Sequence, residues 1–473
     1  MSYTPIDPHE YRLEQVILST QRNNHSVDVT KTLAEIEIFE HIERPYITGT
    51  VTFTDNDRII EIMDFQGCEF CDIKLGLYQS SHNVTRRFVV RELLSVVPSS
   101  DTTDVVTLSL IDYDAYYNSL VNVNKTYDGT PGDIIDKILF DSFPDGSKRV
   151  IRAQGGVASQ ARNADLSSEI PEIAARAQAQ ARQYELQTQM RYIVPNLNPF
   201  EAIKILERRA TAKNGSPFYC FATFKDNDLR FFDLYTMITT PSLNSSDSFI
   251  YSQQMSQGSS QQGADMARSI SNMTTSQGEN TLKYILNGDI GTLYEYADTT
   301  FQVENFIGYD LQKTIQNLLG QDMYPTVDTR TTFNNKPLSE YRAQRKSRIA
   351  PSKIYEGALK NLYDEEDGAR HSAKAVAASL RNILTKSTLQ ITVPGLHTMP
   401  QASAHKTIGN VITVLSLAGE DGLADRKRSG DYLVYATRHR FLQERYSADM
   451  SLVKLANYRG NTRVGNTTGG QVI

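Results

Sequence analysis

From Ile47 to Asp55, apolar or small residues alternate with threonine: Ile47, Gly49, Val51 and Phe53 against Thr48, Thr50, Thr52 and Thr54. A period of two in β-favouring residues predicts a strand with one buried and one wet face. The pattern recurs through residues 1–112. Leu33–Phe39 sets Ala34, Ile36 and Ile38 against Glu35 and Glu37, and Asp72–Leu77 offers Ile73, Leu75 and Leu77 to a core. Arg87–Val97 and Asp104–Ile111 complete the set, with turns at Glu43-Arg44-Pro45 and across Ser99–Thr103. About six or seven short antiparallel strands predict a barrel or sandwich.

The period changes after residue 112. Thr130-Pro131 opens a helix, with proline at its first position and Ile134, Ile135, Ile138 and Leu139 as the apolar stripe. Residues 152–191 are rich in Ala, Gln and Arg, and Glu172–Met190 is expected as an exposed helix or a mobile insertion. Asn198-Pro199, with Glu201 behind, opens a second helix carrying Ile203, Leu206 and Ala210 and ending at Asn214-Gly215. Phe218–Phe224 and Leu229–Tyr235 flank the turn Lys225-Asp226-Asn227-Asp228 as a hairpin. Helix on sheet makes this an α+β module.

The Ser/Gln-rich stretch 252–278 reads as a flexible loop. Helices are expected over Asn305–Leu319, Pro337–Ile349 and His371–Lys386, the last with Leu380, Ile383 and Leu384 on one face. Strands return at Thr388–Val393, Asn410–Leu417, Tyr432–Leu442 and Tyr446–Ala456, the last two as a hairpin around Gln443-Glu444-Arg445. Beyond Arg459 the residues are polar and Gly/Thr-rich, as in a loose tail. No repeat between the two β parts is visible in the sequence. The fold class is α+β and β-rich.

Composition narrows the function. With 473 residues, 40% hydrophobic and 22% charged, the chain fits about three or four globular domains. A net charge of −6 argues against a protein that grips nucleic acid through phosphates, and suits a channel through which DNA slides. No apolar run suggests a signal peptide near Met1–Tyr11 or a transmembrane helix, so no membrane insertion is expected. Three cysteines fit reduced thiols in a cytoplasmic setting.

Candidate chemistry fails on context. Cys68-Glu69-Phe70-Cys71 lacks the second ligand pair a zinc site needs, since Cys220 alone remains. It leads into a predicted strand rather than the helix N-terminus a redox pair would use. The histidines His9, His25, His41, His82, His371, His397, His405 and His439 form no H-x-x-x-H pair, and Ser403 near His405 has no nucleophile-elbow setting. His439 in Arg438-His439-Arg440 reads as packed or lumen-facing. Asp55-x-Asp57 and Asp226-x-Asp228 stand at strand ends, where aspartate is an ordinary turn residue. The runs Arg345-Lys346-Ser347-Arg348, on a predicted exposed helix, and Arg426-Lys427-Arg428, in a loop, read as solvated faces. No phosphate-binding glycine loop is present. No catalytic, cofactor-binding or metal residue is therefore assigned, no cofactor is expected, and the chain is expected not to be an enzyme.

Three segments carry a resemblance: Glu43–Asp55 after the strand Glu35–Phe39, Asn198–Ile203 leading to Phe218–Phe221, and the closing hairpin from Gly430 to Lys454. Their order and spacing resemble the baseplate hub proteins of contractile-tailed, myovirus-type bacteriophages. The resemblance implies two antiparallel β-barrel tube domains, the second interrupted by a helical insertion, plus α+β decorating domains. Carried onto this chain, the first barrel is 1–112, the α+β domain 113–235, and the second barrel 236–290 with 387–460. The insertion is then 291–386 and the flexible tail 461–473. It further implies a homotrimer presenting a pseudo-sixfold ring, with the tail tube protein above and the spike trimer below. Baseplate wedge and tape measure proteins are further implied partners, and DNA passes without specific binding. The place of action would be the virion baseplate, assembled in the bacterial cytoplasm. Alternatives are a hub or spike of a related contractile injection system (type VI secretion or a tailocin), a tail-associated cell-wall hydrolase and a sugar-binding receptor protein.

Overall fold

The computed structural model describes residues 9–22, 24–76, 83–100, 102–143, 150–153, 190–212, 215–239, 248–251, 268–277, 281–286, 292–298, 303–308, 311–319, 323–325, 332–341, 345–350, 376–381, 387–399, 407–418, 423–424, 428–443, 445–454 and 456–458. The first β part holds Arg12–Ser19 (β1), Ser26–Asp28 (β2), Leu33–His41 (β3), Thr48–Asp55 (β4), Phe70–Gly76 (β5), Asn83–Ser100 (β6) and Thr103–Asp112 (β7). The middle holds Thr126–Gly129 (β8), Val150–Ala153 (β9), Met190–Ile193 (β10), Phe218–Ala222 (β11) and Leu229–Asp233 (β12). Then come Phe249–Tyr251 (β13), Asn272–Gln277 (β14), Leu293–Asp298 (β15), Val303–Gly308 (β16), Met323–Pro325 (β17), Thr332–Phe333 (β18), Lys336–Pro337 (β19) and Arg345–Ala350 (β20). Ser387–Pro394 (β21), Val411–Ala418 (β22), Leu423–Ala424 (β23), Gly430–Leu442 (β24), Arg445–Val453 (β25) and Ala456–Tyr458 (β26) close the chain.

The β parts at either end of the chain join in one hydrogen-bonded sheet, in the order β14-β21-β25-β24-β3-β4-β7-β6-β5-β1-β2, with β22 beside β24 and β13 beside β22. This sheet contains the same run twice. The first is β3-β4-β7-β6-β5-β1; the second is β14-β21-β25-β24-β22-β13. In both, the members follow one another along the chain in the same order, so β1, β3, β4, β5, β6, β7 correspond to β13, β14, β21, β22, β24, β25. One pairing differs: β1 lies antiparallel to β5, whereas β13 lies parallel to β22.

Register strengthens the correspondence. The β6–β7 ladder passes from Val90 opposite Leu110 to Glu92 opposite Ser109, with one extra residue on β6. The β24–β25 ladder passes from Val434 opposite Leu452 to Ala436 opposite Ser451, with one extra residue on β24. A bulge of this kind bends a strand and re-aims it. Before each bulge the long strand has an inner neighbour, β5 for β6 and β22 for β24.

Two hydrophobic cores fill the molecule. One joins Val16, Ile36, Val51, Phe53, Ile73 and Leu108 to Ile134, Ile138, Leu206 and Phe218. The other joins Phe249, Leu389, Ile391, Val414, Leu433 and Leu452 to Tyr219, Phe221 and Leu234. Strand β11 lies between them: Phe218, Cys220 and Ala222 face the first core, Tyr219 and Phe221 the second. Successive side chains of a strand point to opposite faces, so an unbroken apolar run is what a strand covered on both sides requires.

The helices expected after Thr130 and Asn198 are present as Pro131–Ser142 and Pro199–Arg209, the second ending at Arg209 and not at the expected Asn214-Gly215. Thr130 caps the first, its Oγ1 accepting from Asp133 N at 3.3 Å. Asn198 makes no such bond; Asn118, from the helix Tyr113–Leu120, accepts from Phe200 N at 2.7 Å instead. A cap supplied from another element is invisible to local sequence.

Several expectations are corrected. The α-helix expected over Pro337–Ile349 is not seen in the described residues: Asn334 and Asn335, both at positive φ, turn β18 into β19, Leu338–Glu340 is a single 3-10 turn, and β20 then runs parallel to β15. Paired asparagines at positive φ are a hairpin signal that outranks the weak helical period. The run Arg345–Arg348 is therefore on a strand. The helix expected over 305–319 is confined to Leu311–Leu319, because Val303–Gly308 pairs with β15. The stretch 291–386, expected as a mixed helical insertion, holds a three-stranded sheet β16-β15-β20 beside the helix Leu311–Leu319. The helix expected over 371–386 is seen at 376–381, its other residues lying outside the described ones. Met190, expected in a helix, begins β10, and 172–189 lie outside the described residues. Of the expected loop 252–278, residues Asn272–Gln277 form β14, while 252–267 lie outside. The tail beyond residue 458 lies outside as well.

Candidate functional site

The feature that organises the molecule is the seam where β24 of the second run meets β3 of the first. Seven residue pairs line it, from Ala436 opposite His41 to Leu442 opposite Glu35. The sequence places arginines at Arg438 and Arg440 and glutamates at Glu35 and Glu37, so alternation puts them together on one face. Arg438 pairs with Glu37, and Arg440 Nη2 lies 3.1 Å from Glu35 Oε1. These half-exposed bridges contribute about 0–1 kcal/mol each, and fix register more than stability.

The other face of the seam carries a buried polar chain. Glu40 accepts from Phe224 N and its Oε2 stands 3.4 Å from His439 Nε2, both side chains being fully buried. His439 Nδ1 lies 2.8 Å from the Tyr446 hydroxyl, which lies 2.6 Å from Thr398 Oγ1. Thr398 Oγ1 in turn donates to Gly395 O at 2.9 Å. Five separate segments thus converge on one buried polar cluster: β3, β11's continuation, β24, β25 and the loop after β21, with Glu40 and His439 in close approach rather than hydrogen-bonded. Burial raises the Tyr446 hydroxyl pKa well above its ordinary range. The ring stacks on Phe441 at 4.3 Å and leaves no room at Gly395, where a Cβ would stand 1.8 Å from Tyr446 Cδ1.

Two further buried ion pairs attach the middle of the chain. Arg86 on β6 meets Asp112 at 2.9 Å and donates to the Asp226 carbonyl. Glu207, fully buried, meets Arg381 at 2.8 Å and Lys204 at 3.1 Å and accepts from Cys220 N at 3.3 Å. The sequence reading gave none of Glu40, Arg86, Glu207 or Arg381 a role. Their partners are up to hundreds of residues distant, and no local pattern marks them.

The residues weighed in the sequence occupy structural positions. Asp55 Oδ1 accepts from Ile59 N at 2.8 Å and Oδ2 from Ile60 N at 3.1 Å, holding the start of a short helix. Asp226 pairs with Arg230 at 2.7 Å and accepts from Asp228 N at 3.2 Å. Cys71 is buried on β5, where burial raises its thiol pKa; Cys68 is exposed and Cys220 buried on β11. Burial lowers His41, whose ring meets Tyr435 edge-on at 4.8 Å. His439 is packed inside the seam. His82, His371, Ser403, His405, Arg426 and Lys427 lie outside the described residues. Among the described residues no three metal-ligating side chains gather, and no helix is long and apolar enough to cross a membrane.

A further feature escaped the sequence reading. Beyond its bulge, β6 runs on to Ser100 with every residue from Arg91 exposed, including Leu93, Leu94, Val96 and Val97. Among the described residues it pairs there with β7 alone. The apolar doublets Leu93-Leu94 and Val96-Val97 break the alternation and were the available signal.

This architecture defines a tail-protein fold. The tail protein from Neisseria meningitidis MC58 superposes with a TM-score of 0.50 at 11% identity, over 94% of this chain and 97% of that one. The 43 kDa tail protein of prophage MuSo2 from Shewanella oneidensis gives 0.49 at 12% identity, over 93% and 98%. The E. coli c3393 protein, a type VI secretion component similar to the T4 tail proteins gp27 and gp5, gives 0.42 at 10%, over 96% and 79%. No family model matches the chain, and no curated protein matches it in sequence.

Proposed function

We propose that this chain is the central baseplate hub subunit of a contractile phage tail, a structural protein and not an enzyme. The observation that carries the reading is the doubled strand run: two equivalent six-strand units per chain allow three chains to present six. A trimer so built meets a hexameric tail tube on one face and a trimeric spike on the other. The two units are the proposed barrel domains, over 1–112 and over 236–290 with 387–460. The α+β domain 113–235 and the insertion 291–386 decorate them. Baseplate wedge and tape measure proteins are further proposed partners.

The acidic balance, −6 per chain, suits a lumen that passes DNA without holding it. Mass photometry of the protein, alone and with its spike, tests the reading. A trimer is expected in at least one condition; a stable dimer or hexamer overturns it. Peptidoglycan lysis abolished by one Asp or Glu substitution would replace it with a hydrolase.

A further inference from the structure

The structure assigns the contact that closes the ring: the outer half of β6 in one copy pairs with the free edge of β14 in the next. The inference deepens the trimeric-ring reading and rests on it.

The seam inside the chain shows how the two runs meet. After its bulge, β24 is covered by β3, the first member of the other run. After the matching bulge, β6 pairs on its outer side with no described strand. The member that corresponds to β3 is β14, which ends the sheet and pairs with β21 alone among the described residues. Among the described residues one chain therefore shows the seam once, made, and its two halves once more, unmade, on β14 and on the outer half of β6.

Burial shows what the missing neighbour does. Leu93 lies opposite buried Leu108, and Val96 opposite buried Val106, so both sit on the core side of the sheet. Each is nevertheless 40% exposed. Matched by partner on β7 and β25, the corresponding residues of β24 are Thr437, opposite Met450, and His439, opposite Ala448; β6 carries one further extra residue, Leu94, between the two. These are 2% and 0% exposed, beneath β3. The first core is thus open at the edge where the second is sealed. Natural sheets blunt exposed edges with charge, proline or bulges, or cover them; this edge is bulged between Leu93 and Ser95 and includes Pro98, yet carries four apolar side chains in five positions.

Register transfers as well. Ile38 stands opposite both His439 and Gly49. Gly49 pairs with Leu110 as Leu389 pairs with Leu452, and Leu389 stands opposite Thr275. The intermolecular ladder therefore sets Thr275 opposite Val96. The contact is head-to-tail, unlike a two-fold dimer interface, and three copies close it with six units.

Cysteine cross-linking tests this in full-length protein carrying Cys68→Ser, which removes the exposed thiol. Val96→Cys and Thr275→Cys proteins are prepared separately, mixed and mildly oxidised. A disulfide-linked dimer in the mixture and in neither protein alone is expected, and the double variant should give a covalent trimer. Val96→Lys, at a surface position of the monomer, is expected to abolish the trimer and leave the monomer's melting unchanged. A trimer that forms without the cross-link and tolerates Val96→Lys overturns the edge assignment and leaves the ring reading standing. A chain that stays monomeric with tube and spike present overturns both.

Discussion

Replacing Arg86 with methionine tests how the first sheet is fastened to the middle of the chain. The guanidinium and the Asp112 carboxylate are 2% and 3% exposed and 2.9 Å apart. Removing one partner leaves a buried charge without its counter-ion, a cost of about 3–5 kcal/mol. The Asp226 carbonyl also loses its donor, but its turn can move, so about 4 kcal/mol is expected overall. Asp112→Leu alone should cost a similar amount. The double variant should cost roughly 1–2 kcal/mol, because an apolar pair of similar volume is tolerated where a lone charge is not. Urea unfolding read by far-UV circular dichroism suits a chain with no tryptophan. Hydrogen exchange of the β6–β7 amides then localises the loss. Single variants within about 1 kcal/mol of wild type, or strict additivity in the double variant, would show that the two charges do not depend on each other.

Three other outcomes are expected. Tyr446→Phe keeps the stack on Phe441 but leaves His439 Nδ1 and Thr398 Oγ1 without the hydroxyl; a loss of about 2 kcal/mol is expected in urea unfolding, and less than about 0.5 would show the chain of bonds is not needed. Gly395→Ala, with its Cβ inside the Tyr446 ring, should lose about 3 kcal/mol and recover part of that when combined with Tyr446→Leu; no recovery would place the strain elsewhere. Burial pushes the Asp233 carboxyl up to about 6, although Thr236 N donates to it at 3.3 Å. Between about pH 4 and 6 the folded state then holds a proton the unfolded state has lost, so stability falls through that window as pH rises, by up to about 3 kcal/mol. Asp233→Asn should flatten that slope, and urea midpoints at pH 4.5 and 7.5 that differ as in wild type would contradict the assignment.

The sequence by itself left β1, β2 and β13 unread, but determined β3 to β7, β21, β22, β24 and β25, the helices beginning at Pro131 and Pro199, and the hairpin around Asp226. Each rests on local period, capping or turn chemistry. It also read Asp55 and Asp226 as turn residues, as their hydrogen bonds show. It lost β16 and β20, whose strand state depends on pairing with β15, and β14, hidden in a Ser/Gln-rich stretch. The repeat was invisible to it because equivalent strands share order and register, not residues: His439 corresponds to Val96, and Ile38 to Thr275. Tertiary structure alone decided that β3 seals β24, that Glu40, His439 and Tyr446 meet inside that seam, and that the equivalent edge on β6 pairs with no described strand. Such choices depend on which long-range neighbour covers an edge. No local pattern encodes that, because a strand's hydrogen-bonding edge is the same backbone in every residue.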